Sequence, residues 1–328
     1  MSIDLSVVII GKNESKNIIR TINAVNENES LKNIRIEVLY IDSNSTDSSI
    51  DILKKQKNIQ IYQIESNKYT AALARYIGSQ KSSGKYILFL DADMELTNNS
   101  NIKKCLQLLD DGKVSVVSGR LPEVLYKKDK AIKYIKDRYN VNKDIEELKS
   151  PGGYFIIDKS KLDNSGNFNC KLFCNEEVEL FSRLKKQGYR IVRTNNLECI
   201  HHHYLDENSK SHIERFKRGF YSSFWLAILN SIKNNCIKQY LSFGVQKRTL
   251  RSVILTLVMI IVCILSIKYP HFILIPIVYY ALMCIKNRGN IQEVLFNQKN
   301  NFFMILSIAF LIKDRNIEYY VKNIEKEI

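Results

Sequence analysis

Tyr86-Ile-Leu-Phe-Leu-Asp91-Ala-Asp93 places a continuous apolar run directly before two carboxylates that stand one residue apart. A run of that kind is a buried strand closing on an acidic end. Side chains at i and i+2 leave a strand on the same side. Their mutual repulsion is relieved most readily by a hard divalent cation that keeps positions open for phosphate oxygens. An Asp-rich turn whose side chains cap backbone amides uses the same spacing, so the flanking chain has to separate the two readings.

Outward from this stretch, short apolar runs alternate with helical patterns through the first 120 residues. Period and composition predict strands over Leu5–Ile10, Ile36–Ile41 closing on Asp42, Ile59–Ile64, the run ending at Asp91, and Val114–Ser118. Between them they predict helices over Asn17–Val25, about Asp47–Lys57, and Thr70–Ser82. Such alternation implies a mostly parallel sheet covered by helices on both faces. Ligands of these sheets bind beyond the carboxyl ends of the strands, where Asp42, Asp91 and Asp93 all fall.

Common nucleotide motifs are missing. No Gly-x-Gly-x-x-Gly follows the first strand. The stretch Gly78 to Tyr86 imitates a phosphate loop, but five residues separate its glycines and Tyr86 stands where Ser or Thr should hold magnesium. It also precedes its strand rather than following one. What remains is a nucleotide-type sheet that handles phosphate through a carboxylate-held metal.

These residues resemble family 2 glycosyltransferases of the GT-A fold. Val7-Val-Ile-Ile-Gly11-Lys-Asn13-Glu14 is similar to that family's first strand and Asn-Glu turn, and Tyr40-Ile-Asp42-Ser-Asn-Ser45-Thr-Asp47 to its Asp-Asp-Gly-Ser-Thr-Asp block. Ala74-Arg75-Tyr76-Ile-Gly78 resembles its Ala-Arg-Asn-x-Gly helix, and Leu88-Phe-Leu-Asp91-Ala-Asp93 its metal motif. The chain departs at Ile10, where Pro is common, at Ser43 in place of the second Asp, and at Tyr76 in place of Asn. The resemblance covers roughly the first 225 residues. It implies an α/β fold, a mixed, Rossmann-like nucleotide-diphospho-sugar transferase sheet flanked by helices, with hydrophobic C-terminal helices added.

It also implies roles. Asp42 would accept from the nucleotide base and Glu14, with Gly11 in the same loop, would frame it. Asp93 would ligate a Mn2+ or Mg2+ ion bridging the donor diphosphate, and Asp91 would touch ribose or the metal through water. Arg75 could counter diphosphate charge with its fork of donors; a solvated helix face is the plainer reading of the same residue.

The acceptor side is expected in the second half. Pro151-Gly152-Gly153 precedes the apolar run Tyr154–Ile157, and paired glycines before a strand mark close approach of a ligand or another strand. Asn175-Glu176-Glu177-Val-Glu179-Leu180 opens a helix predicted to end near Gly188. Acids in a first turn are favoured by the helix dipole by about 0.3–1 kcal/mol each, with no catalysis required. The segment nevertheless resembles the family's Glu-Asp-x-Asp-Leu block, which puts Glu177 at the catalytic base and Glu176 beside the acceptor.

His201-His-His203 follows the strand-like run Arg190–Ile200. On an extended chain His201 and His203 share a side, and the resemblance implies that His201 completes the metal shell, with His203 as the alternate; a surface polar cluster is the other reading. A zinc site from Cys170, Cys174 and Cys199 with these histidines is conceivable, although its Cys-x3-Cys spacing is loose. Further on, His212–Tyr221 resembles a basic segment that closes over donor phosphates, with Arg215 and Arg218 as candidates; otherwise the two belong to a solvated helix face.

At 328 residues the chain allows a catalytic domain over 1–230 and a helical, membrane-associated region over 231–328. Apolar runs cover 253–267, 269–285 and 302–312. The first two fall short of the roughly 20 residues that span a bilayer comfortably. Lys247, Arg248 and Arg251 precede the pair and Lys286 and Arg288 follow it, so the positive-inside rule predicts a hairpin at the cell membrane with the catalytic domain cytoplasmic. A buried soluble helix pair is the alternative. The net charge of +15 and pI of about 9.3 suit membrane lipids or a polyprenyl phosphate, and no motif points to nucleic acid. Seven scattered cysteines and the absence of a signal-like start fit a reducing cytoplasm.

The expected activity is inverting transfer of a sugar from a nucleotide-diphosphate donor to a glycan or polyprenyl-linked saccharide, in cell-surface polysaccharide or glycoconjugate synthesis. A sugar nucleotidyltransferase would share the sheet and metal but should carry a Gly-rich first loop. A non-catalytic membrane-bound protein of the same fold is the remaining alternative, which intact Asp91, Asp93 and Glu177 oppose.

Overall fold

The computed structural model describes residues 3–204, 211–311 and 316–325. The chain begins with β1 (Leu5–Gly11), α1 (Ile18–Asn26), β2 (Ile36–Asp42), α2 (Ser49–Lys54), β3 (Gln60–Ser66), α3 (Ala71–Lys81) and β4 (Tyr86–Asp91). The four strands are parallel neighbours in the order β3-β2-β1-β4. Their Val and Ile runs are buried on both faces. Val7 and Ile9 face α1 and its neighbours, while Val8 and Ile10 face α3. Register sets Gly11 opposite Asp42 and Ile10 opposite Asp91, so these strand ends form one level rim. The second helix is shorter than its sequence pattern predicts, because Asp47 turns back to accept hydrogen bonds from Ser15 and Ser49.

Next come β5 (Met94–Leu96), α4 (Ile102–Asp110), β6 (Val114–Arg120), β7 (Glu123–Lys127), β8 (Lys130–Ile135), β9 (Ile145–Glu147) and β10 (Phe155–Asp158). The sheet is mixed because β10 wedges antiparallel between β4 and β6. After α5 (Lys159–Asn164) and α6 (Glu176–Lys186), β11 runs from Arg190 to Tyr204. A break between Arg193 and Glu198 divides it. Its first part extends the main sheet beside β6, and its second part pairs with β5 and β7. All three histidines therefore lie within the strand, which continues past the expected end at Ile200 because Glu123, Val124 and Leu125 offer it a partner edge.

The remaining elements are α7 (His212–Lys217), α8 (Phe220–Lys233), α9 (Ile237–Ser242), α10 (Gly244–Leu265), α11 (Leu274–Lys286), α12 (Ile291–Ser307) and β12 (Tyr319–Ile324). The boundary read near residue 230 falls inside α8, and β12 returns to pair antiparallel with β3. Among the described residues α10 is the one helix long and apolar enough to cross a membrane, with a mean hydropathy of 2.2. The third apolar run begins within the last turns of a helix that starts at Ile291 and ends at Ser307, continues through a 3-10 turn over Ile308–Phe310, and its last residue, Ile312, lies outside the described residues.

Candidate active site

Arg75 is the hub of the rim. It projects from α3, whose N-terminus is capped by Thr70 through a 3.0 Å bond from the Leu73 amide. Only 2% of Arg75 is exposed. Its Nη1 donates to Glu176 Oε1 at 2.6 Å and lies 3.2 Å from Glu177 Oε1; its Nη2 donates to Asp91 Oδ1 at 2.9 Å and to the Gly153 carbonyl at 3.2 Å. This excludes a solvated helix face and gives the guanidinium protein carboxylates as its partners. Three acids thus converge on one buried cation. Burial pushes the Asp91 carboxyl up against the pull of Arg75, and burial together with the Glu177 charge raises Glu176. Glu177 meets Arg75 through Oε1, and among the described residues no hydrogen bond reaches its Oε2. Glu179, read from the sequence as part of the same acidic block, is fully buried and bound to Arg183 and Asn230.

Asp93 follows the rim on the turn into β5. Its Oδ2 lies 3.1 Å from His201 Nε2, while Asp93 Oδ1 and His201 Nδ1 are both buried without a hydrogen-bond partner. Burial works against the His201 imidazolium, but the bond and charge of Asp93 prevail and raise its pKa. His203 Nε2 lies 3.3 Å from Glu123 Oε1, and ligand atoms of Glu123, His201 and His203 fall within 4.8 Å of one another. Burial and His201 lower the His203 pKa. His202 alternates to the other face, where it contacts Glu95 at 2.8 Å and Tyr126 at 3.0 Å. The orphaned carboxylate oxygen and imidazole nitrogen are donor types that a divalent cation takes, the carboxylate suiting Mn2+ or Mg2+, while the group with ligand spacing is Glu123, His201 and His203 and leaves Asp93 outside it. Among the described residues the one cluster with metal-ligand spacing contains no cysteine. Cys199 is buried within β11, and Cys174 donates to the Phe220 carbonyl.

At the other end of the rim, the loops after β1 and β2 are laced together. Asp42 is buried and accepts from the Ser45 amide at 2.8 Å, from Ser45 Oγ at 2.5 Å and from Gln63 at 3.1 Å. Asn13, with φ +58°, donates its amide to Ser45 Oγ and accepts from the Thr46 amide. A side chain on Gly11 would collide with the Tyr40 hydroxyl. Burial raises the Glu14 carboxyl to about 7, against a 2.9 Å bond from Asn17 and assisted by Asp93 and Asp91. Nearby, Lys12, Lys68, Lys171, Lys217 and Arg218 border a cavity of about 580 Å³ with Tyr69 and Phe173. Arg218 stacks over Phe173 at 5.2 Å; Arg215 leans on Phe220 at 5.7 Å and stands outside the cavity lining.

The paired glycines are needed for close approach. A Cβ on Gly152 would strike the Tyr139 hydroxyl, and one on Gly153 would strike Asp91 Oδ2. Tyr139 donates to the Pro151 carbonyl at 3.1 Å and carries the Arg193 guanidinium on its ring at 3.5 Å. At the entry to α6, Asn175 adopts φ +66°, and its Oδ1 accepts a 3.0 Å bond from Gln246 in the first turn of α10. Sequence reading missed Glu123, Tyr139, Arg193 and Gln246, since none sits in a motif and each reaches the site through a long-range contact.

The family model for glycosyl transferase family 2 matches residues 6–171. That span holds Glu14, Asp42, Arg75, Asp91, Asp93, Gly152 and Gly153 and stops short of Glu177 and the histidines. The chain is 38% identical over 86 residues to an uncharacterised glycosyltransferase of Haemophilus influenzae, covering 25% of this chain and 33% of the relative. It is 26% identical over 133 residues to the poly(ribitol-phosphate) β-N-acetylglucosaminyltransferase TarS of Staphylococcus aureus, covering 37% of this chain and 23% of TarS. The chain thus matches a third or less of the length of these curated relatives. Its fold is similar to that of S. aureus TarS 1-349 in complex with UDP-GlcNAc, with a TM-score of 0.54 at 18% identity over 70% of this chain and 66% of that one. GalNAc-T7 with UDP, GalNAc and Mn2+ gives a TM-score of 0.54 at 16% identity over 73% and 56%. Both are GT-A structures, and the family match extends over half of the sequence: the chain belongs to glycosyl transferase family 2.

Proposed function

We propose that this glycosyltransferase moves a sugar, with inversion, from a nucleotide-diphosphate donor to a glycan or polyprenyl-linked saccharide in cell-surface polysaccharide or glycoconjugate synthesis. The observation that carries the reading is the convergence of Asp91, Glu176 and Glu177 on Arg75 beside the Asp93–His201 pair. In this reading Glu177, whose Oε2 accepts no hydrogen bond among the described residues, takes the proton of an acceptor hydroxyl. The hydroxyl oxygen bonds to the anomeric carbon as the bond to the diphosphate oxygen breaks. Arg75 holds Glu177 and Asp91 in register, and neutralises part of the charge that would otherwise repel a diphosphate. Asp93, with His201 and His203, would hold a Mn2+ or Mg2+ ion, which when bound offsets charge on the leaving nucleoside diphosphate. Glu14, Asp42 and Gly11 frame the nucleotide, and Arg218 with Lys12 supplies the basic wall of the donor side, Arg215 standing behind it. Gly152 and Gly153 open the acceptor side.

UDP-GlcNAc is the first donor to try, because it is the sugar nucleotide bound by the TarS structure. Residues 1–230 carry this chemistry. Residues 231–328 attach the enzyme to lipid at the cell membrane, with the catalytic unit cytoplasmic, so that a lipid-linked acceptor can present its polar end to Glu177. The test is Glu177→Gln, which should lower transfer by about 100-fold or more while donor binding persists. Should Glu176→Gln be crippled and Glu177→Gln remain active, the base is the neighbouring residue and this assignment fails.

A further inference from the structure

The mode of membrane attachment follows from how α12 lies against α10. At 22 residues, α10 is about 33 Å long, enough for a hydrocarbon core of about 30 Å. At 13 residues, α11 reaches only about 20 Å and could not return across the same core. Three contacts fix α12 on α10. Asn301 donates to Ser252 Oγ at 2.8 Å and to Thr256 Oγ1 at 3.0 Å, and Thr256 Oγ1 meets Gln298 Oε1 at 2.9 Å. Moving from 252 to 256 along α10 moves back from 301 to 298 along α12, so the two helices are antiparallel. Continued to the helix ends, this register sets the first turn of α12, where the Asn290 side chain caps the Glu293 amide, beside the last turns of α10.

At Ser252 and Thr256, in its middle, the apolar helix is therefore held against a helix containing Gln292, Glu293, Asn297 and Lys299. Glu293 and Lys299 are exposed. A second pair of bonds ties α12 to the catalytic unit: Trp225 Nε1 to the Met304 carbonyl at 2.8 Å, and the Tyr221 hydroxyl to Asn300 at 3.0 Å. Driving α10 across a bilayer would carry this polar helix into hydrocarbon, where the Glu293 carboxylate, met by the Asn290 amide at 3.4 Å, and the Lys299 ammonium have no opposite charge beside them among the described residues. The opposite face of α10 is a stripe of exposed Ile254, Val258, Ile261 and Leu265, and α11 adds exposed Leu274 and Val278. Between residues 244 and 311 seven lysines and arginines face one acid, Glu293. That charge matches anionic headgroups rather than a protein groove of mixed sign.

We propose that α10 and α11 lie in the plane of an anionic membrane, with their apolar faces sunk into one leaflet, so that the chain rests on the bilayer and does not cross it. This rests on the membrane attachment proposed above. The test uses the full chain in sealed inverted membrane vesicles, cytoplasmic face outward, in a Cys263→Ser, Cys284→Ser background. Lys268→Cys, in the connection between the two helices, should be labelled from outside by a membrane-impermeant maleimide as fully as Lys103→Cys on the catalytic unit. Labelling of Lys268→Cys only after the vesicles are opened would place the connection across the bilayer and overturn the proposal. The purified chain should also cosediment with phosphatidylcholine vesicles containing phosphatidylglycerol, and Lys247→Ala with Arg251→Ala should weaken that binding about 25-fold, at roughly fivefold per charge. Binding unaffected by the double substitution would refute the role given to charge. A chain that stays out of the membrane fraction and binds neither vesicle removes the attachment reading itself.

Discussion

Gly153→Ala should disable the site while leaving the sheet intact. Gly153 sits directly ahead of β10, and an added Cβ would stand 3.1 Å from both Asp91 Cγ and Met94 Cε, and nearer still to Asp91 Oδ2. Ordinary carbon contacts settle at about 3.5–4.0 Å, so the Asp91 carboxylate must withdraw by roughly 0.5–1 Å. That stretches its 2.9 Å bond with Arg75 towards breaking and leaves a buried guanidinium short of one partner, at a cost of about 1–3 kcal/mol. A displacement near 1 Å in a reacting constellation costs on the order of 100-fold in rate. Transfer from UDP-GlcNAc should therefore fall about 100-fold, and thermal unfolding should move down by a few degrees. Gly112→Ala is the control: its φ is +76° and nothing lies within 4 Å, so backbone strain costs about 1 kcal/mol with no loss of rate per folded molecule. A Gly153→Ala enzyme within threefold of the parent rate would refute the claim that this glycine exists to seat Asp91.

Asp93→Ala should abolish manganese-dependent nucleotide binding in a calorimetric titration and leave the melting curve within a few degrees of the parent, because the side chain loses only the contact of its Oδ2 with His201, Oδ1 having no hydrogen-bond partner. Glu14, raised to about 7 mainly by burial, binds a proton in the folded state that the unfolded chain releases near 4.5. Its contribution to stability is full below about pH 4.5 and is lost as pH rises through about 7; urea unfolding across that window should be less pH-dependent in Glu14→Gln, and an identical slope would exclude Glu14 as the source. Gln246→Ala removes the tie between α10 and Asn175, so transfer should drop several-fold through a lower kcat with donor KM unchanged, and partial recovery in Gln246→Asn would distinguish positioning from loss of packing.

The acidic rim of the site was legible in the sequence because its residues sit at fixed steps from strand ends. A parallel β-α unit places each strand's last residue on the rim, so an apolar run ending at Asp42 or at Asp91 already states where those carboxylates go. Motif resemblance then identified Arg75 and the acidic turn at Glu176 and Glu177, since both lie within short helices that local pattern defines well. What the sequence could not convey is which groups Arg75 meets. Its partners come from positions 91, 153, 176 and 177, brought together only when β10 enters antiparallel between β4 and β6. Glu123 was equally hidden, because its approach to His203 depends on the break in β11 that hands the strand from one partner edge to another. Hydropathy likewise revealed the apolar tail but not its orientation, which depends on amides of α12 bonding to Ser252 and Thr256. Local periodicity fixes what a segment is; long-range pairing, whose register no local pattern encodes, decides which charges share a cavity.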